Sequence, residues 1–276
     1  MYSALRSAIL LFVTLSPLTM AAQTNLPLTN AENKTLLSFQ YQHPFFKSTN
    51  YEFTALSGTY DLSLVAPVSP TLSIVGTLPY AAYSASTSYY SESFGALANI
   101  SIGLQQAFVP GTSILQGKVF LPTAPTDGDN VGAIYYGMFH RMYDIEQYIP
   151  NTLGMQVRYN YQKNFNGLLL GGLIGGTALI PTGNNRGEME VLARYGVSAG
   201  YENKDVRFVA EFIGVGILTE ENFISDGKTE HFIAIGGQWT GGSVVKPKIN
   251  IHLPLGSETS RMYSSSLMLG CDFVLP

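Results

Sequence analysis

The chain has 276 residues, a formal net charge of −4 and only 12% Asp, Glu, Lys and Arg, about half the charged share of ordinary soluble domains. A soluble globule this poor in charge is hard to keep dispersed, and the mild acidity leaves no basic stripe for nucleic acid. Cys271 is the one cysteine, so no intrachain disulfide staples the fold.

The chain opens on Arg6, an apolar run over 8–18 and the small-residue stretch Thr19-Met20-Ala21-Ala22. This order predicts a secretory signal peptide over 1–22. An uncleaved anchor is the alternative, although the run is short of the roughly 20 residues a spanning helix needs. Residues 23–276 then form a single domain.

Beyond the signal the dominant pattern is alternation. Val191, Ala193, Tyr195, Val197, Ala199 and Tyr201 share one face, and Leu192, Arg194, Gly196, Ser198, Gly200 and Glu202 the other, because successive side chains on a strand point to opposite sides. The rhythm recurs over 35–42, 51–65, 70–80, 97–109, 112–122, 152–163, 167–181, 190–202, 205–219, 229–240, 244–255 and 262–275, which makes twelve strands. Short connections at 66–70, 110–111, 164–167, 203–204 and 241–243 alternate with long ones at 43–50, 81–96, 122–151, 182–189, 219–228 and 256–261. Strict alternation of short turns and long loops marks an all-β, transmembrane, antiparallel up-and-down β-barrel with both termini on the short-turn side. Leu78-Pro79, Leu121-Pro122, Ile180-Pro181 and Leu253-Pro254 all fall at the long-loop end, where a residue without an N–H marks a strand's exit from the wall. The most apolar stretch, 167–180, carries five glycines and reads as a strand, with a helical hairpin as the alternative.

Residues 123–151 fit no wall strand and are expected to form a long extracellular excursion. Asp129 or Asn130 would cap a helix there, with Ile134, Met138, Met142 and Ile145 on one side and Pro150 ending it. A thirteenth strand over 131–142 is the alternative; it would break the parity of the connections. In the last strand Leu267, Leu269, Cys271 and Phe273 alternate, with Tyr263 in phase upstream. This resembles the C-terminal signal that outer-membrane barrels present to their assembly machinery.

If the apolar face meets lipid, the other face points inward. That face carries Asp61, Lys118, Gln156, Arg158, Asn160, Gln162, Arg194, Glu202, Arg207, Glu211, Lys246, Lys248, Asn250, His252, Ser264, Ser266 and Asp272. A charge on the lipid face near the midplane costs about 2–4 kcal/mol, which fixes the phase. Arg158, Arg194, Arg207, Glu211, Lys246 and Lys248 are the candidate luminal residues. They either select solutes in an open pore or pair across the bore and close it. Tyr159, Tyr161, Tyr195, Tyr201, Phe208, Phe212, Trp239 and Phe273 are in phase with the lipid face and suit interfacial girdles. Tyr83, Tyr89, Tyr90 and Phe94 lie in a Ser-rich loop, where they either greet a ligand or pack on the rim.

The stretches NISIGLQQAF and SILQGKVFLPTAP within Ala98–Pro125, preceded by SPTLSIVGTLPY at Ser69–Tyr80, resemble the outer-membrane family linked to meta-pathway phenol degradation. The resemblance implies a barrel with a transport role and brings no catalytic residues.

The chemistry of enzymes is hard to find. No His is followed two residues on by Ser, as outer-membrane lipases and deacylases require; Glu220, Glu221 and Asp226 read as a solvated loop, and Asp127-Gly128-Asp129-Asn130 as a turn without the spacing of an EF-hand. No cofactor or metal motif emerges. The expectation is a porin-like outer-membrane channel for small solutes, apolar or aromatic ones included, and not an enzyme. A closed barrel with a structural or surface role is the alternative. The expected partners are membrane lipid, lipopolysaccharide, the outer-membrane assembly machinery and a small solute, with no nucleic acid. The barrel is expected to be a monomer.

Overall fold

The computed structural model describes residues 34–47, 52–86, 91–109, 112–183, 187–219, 229–256 and 259–275. The expected signal peptide, Tyr89, Tyr90, Glu220, Glu221 and Asp226 lie outside them. The strands are β1 (Thr35–Phe46), β2 (Glu52–Phe53), β3 (Gly58–Pro67), β4 (Leu72–Ser86), β5 (Ser91–Leu97), β6 (Ser101–Val109), β7 (Ser113–Phe120), β8 (Thr152–Phe165), β9 (Leu168–Pro181), β10 (Glu190–Glu202), β11 (Val206–Ile217), β12 (Thr229–Trp239), β13 (Val245–Pro254) and β14 (Tyr263–Leu275). Helix α1 (Val131–His140) and a 3-10 turn (Met142–Gln147) lie between β7 and β8, and the single turn α2 (Thr259–Met262) precedes β14.

All pairings are antiparallel, and the sheet closes on itself. β1 pairs with β14 from Thr35 opposite Leu275 to Phe46 opposite Tyr263, and β4 pairs with β6 as well as β3. β2 and β5 only extend the β4 edge, which leaves twelve wall strands, as the connection parity predicts. Closure pairs the backbone groups that an open sheet would leave bare in hydrocarbon.

Alternation gives the wall its two faces. Ile174 and Val197, exposed by 65% and 64%, point outward, whereas Arg194 and Ser198 point inward and are buried. Tyr159, Tyr161, Tyr195, Tyr201, Phe208 and Trp239 are on the outside with the exposed aliphatics. The β8–β9 turn is Asn166-Gly167, with φ of 55° and 100°. Two consecutive positive φ values match the right-handed twist of the flanking strands, and Asn-Gly adopts them at low cost.

Several expectations need correction. Tyr263 is fully buried rather than lipid-facing, and Ser264 is exposed rather than luminal. A register irregularity between Phe45 and Phe46 opposite this point inserts one residue, and one residue flips every side chain beyond it to the other face. The supposed loop 81–96 is a continuation of β4 paired with β5, and the strand over 51–65 is interrupted before Gly58. Pro181 and Pro254 do end their strands, and Pro122 lies just past β7. Pro79 instead sits inside β4, where the β6 partner stops after Thr77 and the chain hands over to β5. Residues 131–140 form a helix and not a strand, although Asn130 makes no side-chain cap.

Candidate functional site

The segment after β7 is not part of the wall. From α1 onward, however, it turns inward and enters the bore. The four residues expected on one side, Ile134, Met138, Met142 and Ile145, are all buried. They pack in one cluster with Leu179, Leu192, Ile213, Val215 and Phe232, which are apolar residues at inward-facing wall positions. Gly137 allows close seating: a Cβ there would lie 2.6 Å from the Tyr148 ring and 3.3 Å from Ala81. At the rim, Tyr136 has ring centroids 5.5 Å from Phe46, 5.7 Å from Phe53 and 5.4 Å from Tyr83. Tyr83 stacks on Phe94 at 6.0 Å, so these aromatics pack on the helix.

Deeper in the bore the contact is ionic. Arg158 of β8 donates to Asp144 at 2.7 Å and to Glu146 at 3.1 Å, and Arg194 of β10 donates to Glu146 at 2.9 Å. Arg141 of the segment donates to Asp61 of β3 at 2.7 Å. Gln156 also donates to Glu146, and Tyr143 to Gln42 of β1. Arg158 lies six residues along β8 from Thr152 at the long-loop end, so the segment reaches mid-wall. Burial by itself would raise the Asp144 carboxyl, but Arg158, Arg194 and Arg141 outweigh it and hold the group down at about 2. Burial pushes the His140 imidazole down to about 3, against the opposing pull of its bond to Tyr136. His140 Nδ1 faces the Tyr136 carbonyl at 2.8 Å. A carbonyl only accepts, so Nδ1 carries the proton and Nε2 is left to accept from Thr59.

The segment is tied to the wall where the ladder breaks between β5 and β6. The Asn99 side chain donates to the carbonyls of Glu146 at 3.1 Å and Ile149 at 2.7 Å, and accepts from the Ala124 N–H at 3.1 Å. Its own N–H donates to the Gln147 carbonyl at 2.7 Å.

The other candidate luminal residues sit apart from this network. Lys248 bridges Asp272 at 2.6 Å and Ser38 at 2.9 Å. Lys246 is opposite Asp272 in register. Arg207 pairs with Glu202 beside the short β10–β11 turn, and Glu211 is buried opposite Ser198. Arg194, Arg207 and Glu211 are therefore strung along the strands rather than gathered. Asp61, Asp144, Glu146 and Asn99 complete the central site; Asp144, Glu146 and Asn99 were not among the sequence candidates. Among the described residues no three His, Cys, Asp or Glu side chains converge as metal ligands.

Below the segment, toward the short-turn end, a cavity of about 130 Å³ remains. Its lining includes Ser38, Gln40, Gln105, Gln116, Lys118 and Phe120 from the wall, and Tyr143 and Gln147 from the segment.

No protein-family model and no curated protein sequence matches the chain. Solved structures do. An outer membrane channel from Pseudomonas putida F1 superposes with a TM-score of 0.57 at 13% identity, covering 95% of this chain and all of the other. The NanC porin gives 0.51 at 9% identity over 87% of this chain and all of the other. The transport unit of the autotransporter AIDA-I from Escherichia coli gives 0.50 at 9% identity, over 98% and 97%. The fold is that of a bacterial outer-membrane β-barrel. Channels and porins share it, and in this barrel the bore is occupied by its own polypeptide.

Proposed function

We propose that this barrel is an outer-membrane channel for small solutes whose conducting path is closed by the inward segment 131–148 and opens when that segment moves. The observation that carries this reading is Glu146, gripped by Arg158 of β8 and Arg194 of β10, which flank Gly175 of β9 in one inward row of the wall. A buried ion pair rarely stabilises more than well-packed apolar side chains of the same volume would. Ionic contacts at mid-wall therefore suit a seat that is occupied and vacated. The similarity to porins and the resemblance to the phenol-degradation transporter family support the same role, and that family points to aromatic solutes. Lipopolysaccharide outside and the barrel-assembly machinery during biogenesis are the partners this location implies, and a monomer accords with one bore per chain.

The test is conductance in planar bilayers for the native barrel and for Asp144→Asn/Glu146→Gln. Small, infrequent openings are expected for the first, and larger, longer ones for the second. Silence from both, with the barrel folded, would favour the second reading, a closed barrel with a surface role. That reading draws on the same ion pairs, taken as a permanent seal.

A further inference from the structure

We propose that the cavity beneath the segment is a binding site for a small organic monoanion, with Lys118 as the cation that holds its carboxylate; this deepens the channel reading and rests on it.

Three observations carry the assignment. The first is charge. The cavity is lined by Lys118, Arg141 and Arg158 against Asp61 and Asp144. Arg141 is paired with Asp61 and Arg158 with Asp144, each at 2.7 Å. Lys118 has no direct ion pair or hydrogen bond among the described residues, although Asp144, Glu146 and Asp61 lie near enough to attract it. With the adjoining Glu146 and its partner Arg194 counted, four cations face three carboxylates, so the site holds one cation in excess, and a monoanion neutralises it.

The second is shape. Val65, Val75, Gly103 and Lys118 are consecutive cross-strand partners in one row of the wall, all inward. Gly103 contributes no side chain to this row. The backbone of β7 closes onto it instead: a Cβ on Gly103 would lie 1.9 Å from the Gly117 carbonyl oxygen. The cavity thus brings Lys118 together with an apolar surface made by Val65, Val75 and Phe120.

The third is size and polarity. About 130 Å³ is close to the ~150 Å³ that encloses benzene in an engineered protein interior. Gln40, Gln105, Gln116 and Gln156 line the cavity as well and supply polar wall around the cation.

Isothermal titration of the folded barrel in detergent tests this, with sodium benzoate, neutral benzamide and sodium nitrate as probes. Saturable binding of benzoate is expected. Benzamide should bind about 10- to 100-fold more weakly, the worth of one hydrogen bond to a charged group, and nitrate, which lacks the apolar body, should also be weaker. Lys118→Gln should bring benzoate down to the benzamide level, and Lys118→Arg should retain it, which separates charge recognition from a packing role. No benzoate binding, equal binding of benzoate and benzamide, equal binding of nitrate, or an unchanged Lys118→Gln would each overturn the proposal. A silent channel that binds benzoate would defeat the transport reading alone, and a conducting channel that does not would defeat only this one.

Discussion

Arg194 of the wall donates to Glu146 of the inward segment at 2.9 Å, and 2% and 0% of the two side chains is exposed. Neither charge has water to fall back on. Removing one partner of such a pair typically costs about 3–5 kcal/mol, because the other is left buried and uncompensated. Glu146→Ala should therefore loosen the segment, seen as faster hydrogen exchange over 131–148. The wall should hold, since its backbone ladders do not involve Glu146. Adding Arg194→Met to Glu146→Ala should restore part of the protection by removing the orphaned charge. A double variant no better protected than the single one would show that the pair contributes little to seating.

Acid should weaken the seat, and His140 sets the window. Seated, its imidazole is held down at about 3 by burial; released into water it titrates near 6.5. The released state thus binds the proton first, and seating loses stability as pH falls below about 6.5, by up to about 1.4 kcal/mol per pH unit from this one group. The loss levels off near 3. Asp144, held at about 2 by its arginines, contributes stability that is intact above its ordinary range near 4 and is lost only as pH drops through about 2. Open probability should accordingly rise between pH 6.5 and 4. His140→Gln should flatten the rise, and an identical profile in that variant would assign it to other groups.

The wall was legible because lipid enforces period-two alternation and because chain closure forces parity on the turns. The twelve strands, the short turns and the inward phase of Arg158, Arg194 and Lys248 all follow from those two rules. The destination of the inward segment was not. Leu192 stood on the otherwise polar face of β10, and Ile213, Val215 and Phe232 did the same on β11 and β12. These apolar residues at inward positions near the long-loop end were the available sign that something covers them. The carboxylates Asp144 and Glu146 gave no local signal, since they lie in a short 3-10 turn with no periodicity. Tyr263 was misplaced for a different reason: a one-residue irregularity is set by the partner strand and is invisible to a pattern read along one strand.

Asn99 should matter more than its size suggests. Its side chain satisfies two carbonyls and one N–H of the segment, and Asn99→Ala would leave all three without their partner. Each buried backbone group stranded this way costs about 1–3 kcal/mol. Protection from hydrogen exchange should fall over 124–149 first, with conductance rising alongside. Asn99→Asp keeps the acceptor but loses both donations, so it should lie no closer to the native protein than the alanine variant does. Full protection in Asn99→Ala would mean that the apolar packing of α1 seats the segment unaided.

The lipid-facing surface makes the complementary prediction. Val197 is mid-strand in β10, 64% exposed, beside the inward-facing Ser198. In water an exposed valine would tolerate replacement, and Val197→Arg would be nearly neutral. In a bilayer the same change places a guanidinium in hydrocarbon, at a cost of about 2–4 kcal/mol near the midplane and less toward either interface. Urea titration of folding into liposomes measures the difference. The destabilisation should appear in lipid, and it should shrink for Tyr201→Arg at the end of the same strand, whose side chain reaches the headgroups. Equal and negligible costs at both positions would mean that β10 does not face lipid, and the membrane placement of the whole wall would fall with it.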